Sequence, residues 1–176
     1  MTAGRQLRAI GPLPGMVAVA IPALLAVIFG DDVDGDLPAP LWIPKALAGL
    51  ALIVFGVRLW AETVRLFASI GKGTLAPWDP TRKLVVRGPY LRVRNPMITG
   101  VGAVLLGEAI VLGSPAILIW FGVFALVNAT FIPLAEEPDL VRRFGTDYEE
   151  YRRAVPRWIP RSTPWEAGGS ERDPKT

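Results

Sequence analysis

Leu84 to Gly100 reads LVVRGPYLRVRNPMITG, and the rest of the chain is arranged around it. The stretch holds a tight Gly88-Pro89 turn, an aromatic at Tyr90, three arginines (Arg87, Arg92, Arg94) and a second polar-proline step at Asn95-Pro96. Pro96 suits the first position of a helix, where its missing N–H costs nothing, and Asn95 suits the N-cap before it. An apolar helix then runs to about Leu112. The first N–H groups of a helix lack intrahelical partners, so a polar loop feeding one is a natural place to hold a small charged ligand. The apolar character of this helix puts that place at a membrane surface.

Downstream, Gly113 suits the C′ position, Ser114 the next N-cap and Pro115 the next N1, which predicts a tight hairpin into a further span from Pro115 to about Leu134. Gly100, Ala103 and Gly107 fall on one face of the preceding span, the spacing that lets a neighbouring helix or a ligand approach closely. Upstream, a span from Leu41 to Trp60 is expected, continuing as an amphipathic extension to Ile70 and ended by Gly71-Lys72-Gly73. Trp42 and Trp60 lie 18 residues apart, about 27 Å at helical rise, which suits two interfacial belts with Lys45 and Arg58 reaching outward. The first apolar run, Leu13 to Gly30, reads as a retained helix kinked at Pro22. A cleaved signal peptide is the rival, but DDVDGD behind it carries no small-residue cleavage pattern. Between Thr74 and Arg94 the connection is long, with Pro77, Pro80 and Pro89, the mark of a functional, extended loop.

Composition agrees. Half of the 176 residues are hydrophobic (51%) and mean hydropathy is +0.37. Charge collects at the N-terminus, between 62 and 94 and after 135, leaving nearly uncharged runs between, the pattern of an integral membrane protein. With no cysteine and no histidine, disulfides, thiolate or imidazole zinc sites and histidine bases are excluded, leaving Asp, Glu, Tyr and Lys for proton transfer. The net charge of +3 speaks to membrane topology and not to nucleic acid.

From Glu136 the chain turns soluble in character. Leu140, Phe144, Tyr148, Tyr151 and Val155 form one stripe at helical spacing. Gly145 interrupts it, and Thr146 with Glu149 makes a capping-box pattern, so two short helices are expected. The loop at 31–36 is purely acidic, whereas the basic residues gather at the N-terminus, at 62–94 and in the C-terminal region. The positive-inside rule then gives an all-α bundle of about four transmembrane helices with both termini cytoplasmic and short cytoplasmic C-terminal helices, in a bacterial-type plasma membrane. Three regions follow: an N-terminal hairpin of two spans (1–70), a loop, second hairpin and C-terminal helices (71–161), and a disordered tail (162–176).

Glu136-Glu137 is the first place for chemistry: neighbours on a helix point about 100° apart, so one can face a site while the other is solvated. The plain alternative is a solvated helix start favoured by the macrodipole. Likewise Arg87, Arg92 and Arg94 read either as site residues or as headgroup anchors. Glu108 lies about 18 Å into its span, and an intramembrane carboxylate is a functional hypothesis by default, or a protonated bystander. Gly100-Val101-Gly102 lacks the third glycine, the strand and the βαβ context of a dinucleotide fingerprint. There is no phosphate-loop motif and no Ser/His/Asp set.

LVVRGPYLRVRNPMITG, followed about 40 residues later by EEPDLVRRFGTDYEEYRRAVPRWIP, resembles the isoprenylcysteine carboxyl methyltransferase and phospholipid methyltransferase superfamily. The family pattern is roughly GPY-x-x-x-R-H-P-x-Y-x-G, then E-E-x-x-L-x-x-x-F-G-x-x-Y-x-x-Y. Its second half matches at Glu136, Glu137, Leu140, Phe144, Gly145, Tyr148 and Tyr151 in register. The similarity covers about residues 75–161. Two departures stand out: the family histidine is Asn95 here, and the tyrosine after it is Ile98.

The resemblance implies a membrane-embedded enzyme using S-adenosylmethionine. Gly88, Pro89, Tyr90, Arg94, Asn95, Pro96 and Gly100 would frame the cofactor from one side and Glu136 and Glu137 from the other. Arg94 and Glu137 would be the catalytic pair, Arg94 orienting a carboxylate and Glu137 acting as base toward an amine. Tyr148 and Tyr151 would meet a lipid or other membrane-partitioned small-molecule substrate bearing a carboxylate or an amine. The replacement of histidine by Asn95, which hydrogen-bonds but does not titrate, keeps open a non-catalytic binding or scaffold protein on the same fold. A small transporter or channel subunit would lean on Glu108 alone.

Overall fold

The computed structural model describes residues 15–29, 39–70 and 84–166, and among them every regular element is helical. Helix α1 covers Met16–Phe29. Helix α2 is Ala39–Ile70, α3 is Pro96–Leu112 and α4 is Pro115–Phe131. After a wide turn at Ile132–Glu136 come α5, Glu137–Phe144, and α6, Thr146–Ala154. The expected acidic loop, the basic N-terminal segment with its signal-peptide alternative, the Gly71-Lys72-Gly73 stop, the first part of the proline-rich loop and the tail beyond 166 lie outside the described residues.

Several local expectations hold for the reasons given. Pro96 starts α3, and Gly113 takes the left-handed conformation at its end (φ 62°). The Ser114 hydroxyl accepts from the Ile117 N–H at 3.2 Å, capping α4. Pro133 lies within the π-type turn Ile132–Glu136, and Pro22 follows the π-type turn Met16–Ala20 by two residues. Proline removes one helical N–H and its ring crowds the preceding turn, so the helix widens locally. Gly145 breaks α5 from α6 at φ 57°, ψ −132°, backbone that a side chain resists. The expected capping box is not made: no side-chain cap bonds the start of α6.

Two helices, Leu41–Leu66 and Pro115–Phe144, are long and apolar enough to cross a membrane. Only 22% and 11% of their most apolar windows are buried, whereas the core helix of a soluble protein would be mostly covered. Leu47, Leu50, Val54, Leu126 and Val127 all point outward. Apolar surface on this scale marks a face meant for lipid or another apolar partner. Two shorter apolar helices, α1 and α3, accompany them.

The tightest packing joins α2 to α3, antiparallel, through two glycine pairs. A methyl built on Gly107 would lie 2.6 Å from the Gly49 carbonyl oxygen, and one on Gly100 would lie 2.8 Å from that of Gly56. The backbones touch, which only residues without a Cβ allow. Trp60, expected in an interfacial belt, is half-buried beside this contact with its Nε1 enclosed and unpartnered. On the other side of α3, Val101, Val104 and Leu105 pack with Ala18 of α1 and Phe121 and Phe124 of α4. The Trp120 Nε1 ties the two flanking helices by donating to the Val17 carbonyl at 3.1 Å.

Candidate functional site

The loop before α3 is fixed by the chain that follows α6. Arg94 N–H donates to the Pro156 carbonyl (2.9 Å), Arg161 N–H to that of Arg92 (3.0 Å) and Trp165 N–H to that of Leu91 (2.8 Å). Side chains add to this: Thr99 Oγ1 donates to the Trp158 carbonyl at 3.0 Å, and Arg92 Nη1 to that of Ser162. Residues 155–165 therefore form a strap laid across 91–99. The Tyr151 hydroxyl donates to the Tyr90 carbonyl at 2.8 Å, and Trp165 lies 5.7 Å from the Tyr151 ring. Residues 162–166, expected in a disordered tail, are held to the strap through Trp165, which has an aromatic face and a backbone acceptor to occupy.

Under the strap sits Glu137, 4% exposed. Its Oε1 accepts from Arg94 Nη1 at 2.7 Å and from Arg157 Nε at 2.8 Å, and its Oε2 accepts from Arg157 Nη2 at 2.9 Å. One buried carboxylate is thus held by two guanidiniums. The pairing with Glu137 pushes the Arg157 guanidinium further up from its ordinary value. Arg94 is itself nearly enclosed, and its Nε is buried with no acceptor. Charge-assisted bonds of this kind hold planar geometry well.

Tyr90, Glu136 and Tyr148 lie close to the Arg94–Glu137 pair. Burial raises the Tyr90 hydroxyl pKa, and the Glu136 charge adds to the rise. Burial, followed by Glu137, raises that of Tyr148, against a lowering hydrogen bond from Arg94. Both phenols therefore stay protonated at neutral pH. Glu136 is the acidic residue of the doublet with an exposed surface.

Other expectations land elsewhere. Gly100 is buried against Gly56 of α2, so its role in the structure is helix contact. Tyr148 and Tyr151, each 3% exposed, pack with Val155, Leu140 and Trp165, which removes their rings from any surface a substrate reaches. Glu137 has both oxygens engaged, so it is not poised as a base. Asn95 does not cap α3 through its side chain; its Nδ2 makes a long 3.4 Å bond to the Arg157 carbonyl. Gly88 and Pro89 form a single turn before Tyr90, at Gly88–Leu91. Among the described residues no group of acidic side chains could hold a metal ion. Arg157, the second partner of Glu137, is the residue that sequence reasoning did not single out. Its signal is indirect: a carboxylate buried beside one arginine calls for a second cation to complete its hydrogen bonding.

The family model for phospholipid methyltransferases matches residues 44–147, well over half of the chain. The chain belongs to the phospholipid methyltransferase family. This family member is 31% identical over 142 residues to methanethiol S-methyltransferase 2 of Bradyrhizobium diazoefficiens, a match covering 71% of this chain and 51% of that protein. The chain thus spans about half the length of that curated relative. No solved structure matches it. The family match takes in Arg94, Asn95, Glu136 and Glu137 and stops before the strap, so Arg157 stands outside the part that the family description covers.

Proposed function

We propose that this protein is a membrane-embedded methyltransferase that uses S-adenosylmethionine and methylates a membrane-partitioned acceptor. The observation that carries this reading is the Arg94 Nε, a buried donor without an acceptor beside the Glu137 ion pairs. A carboxylate such as the one on the methionine part of the cofactor fits that donor set. When bound, the cofactor supplies an electrophilic methyl group on a sulfonium.

This chain's part is to bind, orient and exclude water. Arg94 and Asn95 hold the cofactor from the α3 side, with the Gly88-Pro89-Tyr90 turn beneath and Glu136 on the opposite wall. Glu137 and Arg157 hold Arg94 in position and do not touch the reacting atoms. Methyl transfer disperses cationic charge in an in-line displacement, so positioning in a site shielded from water supplies most of the acceleration.

In the full reading α1 and α3 also cross the bilayer, giving four spans with both termini and α5 and α6 on the cytoplasmic side of the plasma membrane. The polar cofactor then arrives from the cytoplasm and the acceptor from the bilayer. The test is titration of S-adenosylmethionine into detergent-purified protein, followed by turnover with membrane extracts. Saturable binding with methylation of an extracted compound is expected. Absence of binding overturns the reading, and binding without turnover favours the scaffold alternative that Asn95 suggests.

A further inference from the structure

The Arg94 Nε is shut off from its surroundings as well as unpartnered. The Arg94 side chain is 9% exposed and that of Glu137 5%, so a ligand reaches this donor only after a covering element moves. Four pieces of chain meet at the pair: the loop before α3, α5, α6 and the strap. Three of them are tied into the helical body. Val93 and Pro96 are fully buried on either side of Arg94. Glu137 stands on a continuous helical run from Pro115 to Phe144, and the buried rings of Tyr148 and Tyr151 anchor α6.

The strap is different. Val155 at its base is fully buried, and its N–H donates to the Tyr151 carbonyl at 2.9 Å. None of residues 156–166 is buried, and Ile159 stands exposed. These residues are held by backbone bonds to Leu91, Arg92 and Arg94 and by the Thr99 bond to the Trp158 carbonyl. Two clasps add to them, the Arg157 fork on Glu137 and Trp165 beside Tyr151. A segment with few buried apolar contacts and bonds near the surface opens at lower cost than packed helices. The fork gives the movement a latch that responds to a ligand. A carboxylate seated at Arg94 adds an anion near Arg157 and so favours the closed strap. The same segment contributes Trp158, Ile159 and Pro160 to the wall of a cavity of about 570 Å³ between α3 and α4. One displacement thus uncovers the donor and opens that wall.

We infer, on the reading just given, that residues 156–165 are a lid over the Arg94–Glu137 pair, hinged at Val155 and latched by Arg157. The cofactor enters and leaves only when this lid lifts.

The chain has no cysteine, so the lid can be tied shut at a chosen place. Arg92 and Ser162 are both exposed, and the Arg92 Nη1 donates to the Ser162 carbonyl; neither holds the cofactor in the reading above. Full-length Arg92→Cys/Ser162→Cys protein in detergent is joined by a short bis-methanethiosulfonate linker, which reductant removes. Before linking, labelled S-adenosylmethionine is expected to bind and dissociate within twofold of the wild-type rates. After linking, both rates should fall at least tenfold. Cofactor loaded before linking should stay through gel filtration, cofactor added afterwards should be excluded, and reductant should reverse both effects. Arg157→Lys, which keeps the charge but loses the fork, is expected to speed dissociation at least threefold. Hydrogen exchange without cofactor is the independent readout: peptides covering 90–95 and 156–165 should exchange faster than α3 and slow at least tenfold on linking. Linked protein that exchanges cofactor as fast as unlinked protein overturns the lid and leaves the reading of function standing. Peptides whose hydrogen exchange ignores the linker overturn it as well, and an Arg157→Lys variant no faster than wild type overturns the latch. No cofactor binding before linking, with hydrogen exchange slowed by the linker, keeps the lid and overturns the methyltransferase reading instead.

Discussion

Arg157 grips Glu137 with two hydrogen bonds, Nε to Oε1 at 2.8 Å and Nη2 to Oε2 at 2.9 Å, at a sequence separation of 20. This fork joins the strap to the start of α5, and Arg94 joins both to the loop before α3. Breaking a buried charge pair by removing one partner costs about 3–5 kcal/mol, since the survivor stays buried and unpaired. Arg94 is the more enclosed survivor, at 9% side-chain exposure against 30% for Arg157. Glu137→Gln is expected to lower stability by about 3 kcal/mol and to weaken cofactor binding at least tenfold. Glu149→Gln and Glu150→Gln, on the outer side of α6, should stay within about 0.5 kcal/mol of wild type. Melting curves and cofactor titrations on the three variants decide the matter; equal behaviour would remove Glu137 from the site.

Asn95 allows two accounts to be separated. Its amide reaches the Arg157 carbonyl and makes no cap to α3. Asn95→Asp and Asn95→Ala both abolish the donor, so each should cost a similar amount, at most about 0.5–1.5 kcal/mol. Asn95→His keeps a donor and should retain cofactor binding. An Asp variant as stable as wild type beside a weakened Ala variant would restore the capping account.

Trp165 tests the strap. Trp165→Ala is expected to cost about 2 kcal/mol, below the about 3–5 kcal/mol of a fully buried tryptophan because Trp165 is half-exposed. Limited proteolysis should then cut between Val155 and Trp165 at a faster rate. An unchanged cleavage pattern would mean that the backbone bonds alone hold the strap down.

Topology is tested by two reporters, one fused after Thr176 and one inserted at 31–36. They are expected on opposite sides of the membrane, the former cytoplasmic. Detection of both on one side would break the arrangement in which loop and C-terminal helices share a face.

Much of the fold was legible in the sequence because punctuation residues act locally. Pro96, Gly113, Ser114 and Gly145 each set a helix boundary within one turn of themselves, and the structure places those boundaries where they fall. The site was legible only as a neighbourhood. Motif spacing brought Tyr90, Arg94, Glu136 and Glu137 together, yet it carried no information on which oxygen of Glu137 is already bonded. That depends on Arg157, whose place opposite Glu137 is set by the path of the strap through long-range backbone bonds. Tyr148 and Tyr151 misled for a related reason: a tyrosine stripe at helical spacing looks the same whether its hydroxyls face a ligand or a neighbouring carbonyl.

The glycine contacts give a further prediction. Gly56→Ala or Gly100→Ala drives a methyl into the facing backbone, and overpacking of this kind typically costs about 1–3 kcal/mol. Gly122→Ala meets open space and should be neutral or slightly stabilising, as thermal unfolding in detergent would show.

Those two glycine pairs sit seven residues apart on both helices, which makes α2 and α3 a keyed spine. Sliding one helix past the other by a turn would bring Ala103 or Val104 against Gly56 and force the axes apart. The spine therefore has one register, and it cannot ratchet. Any breathing of the bundle therefore falls to α4, which meets α3 through side chains such as Phe121 and Phe124.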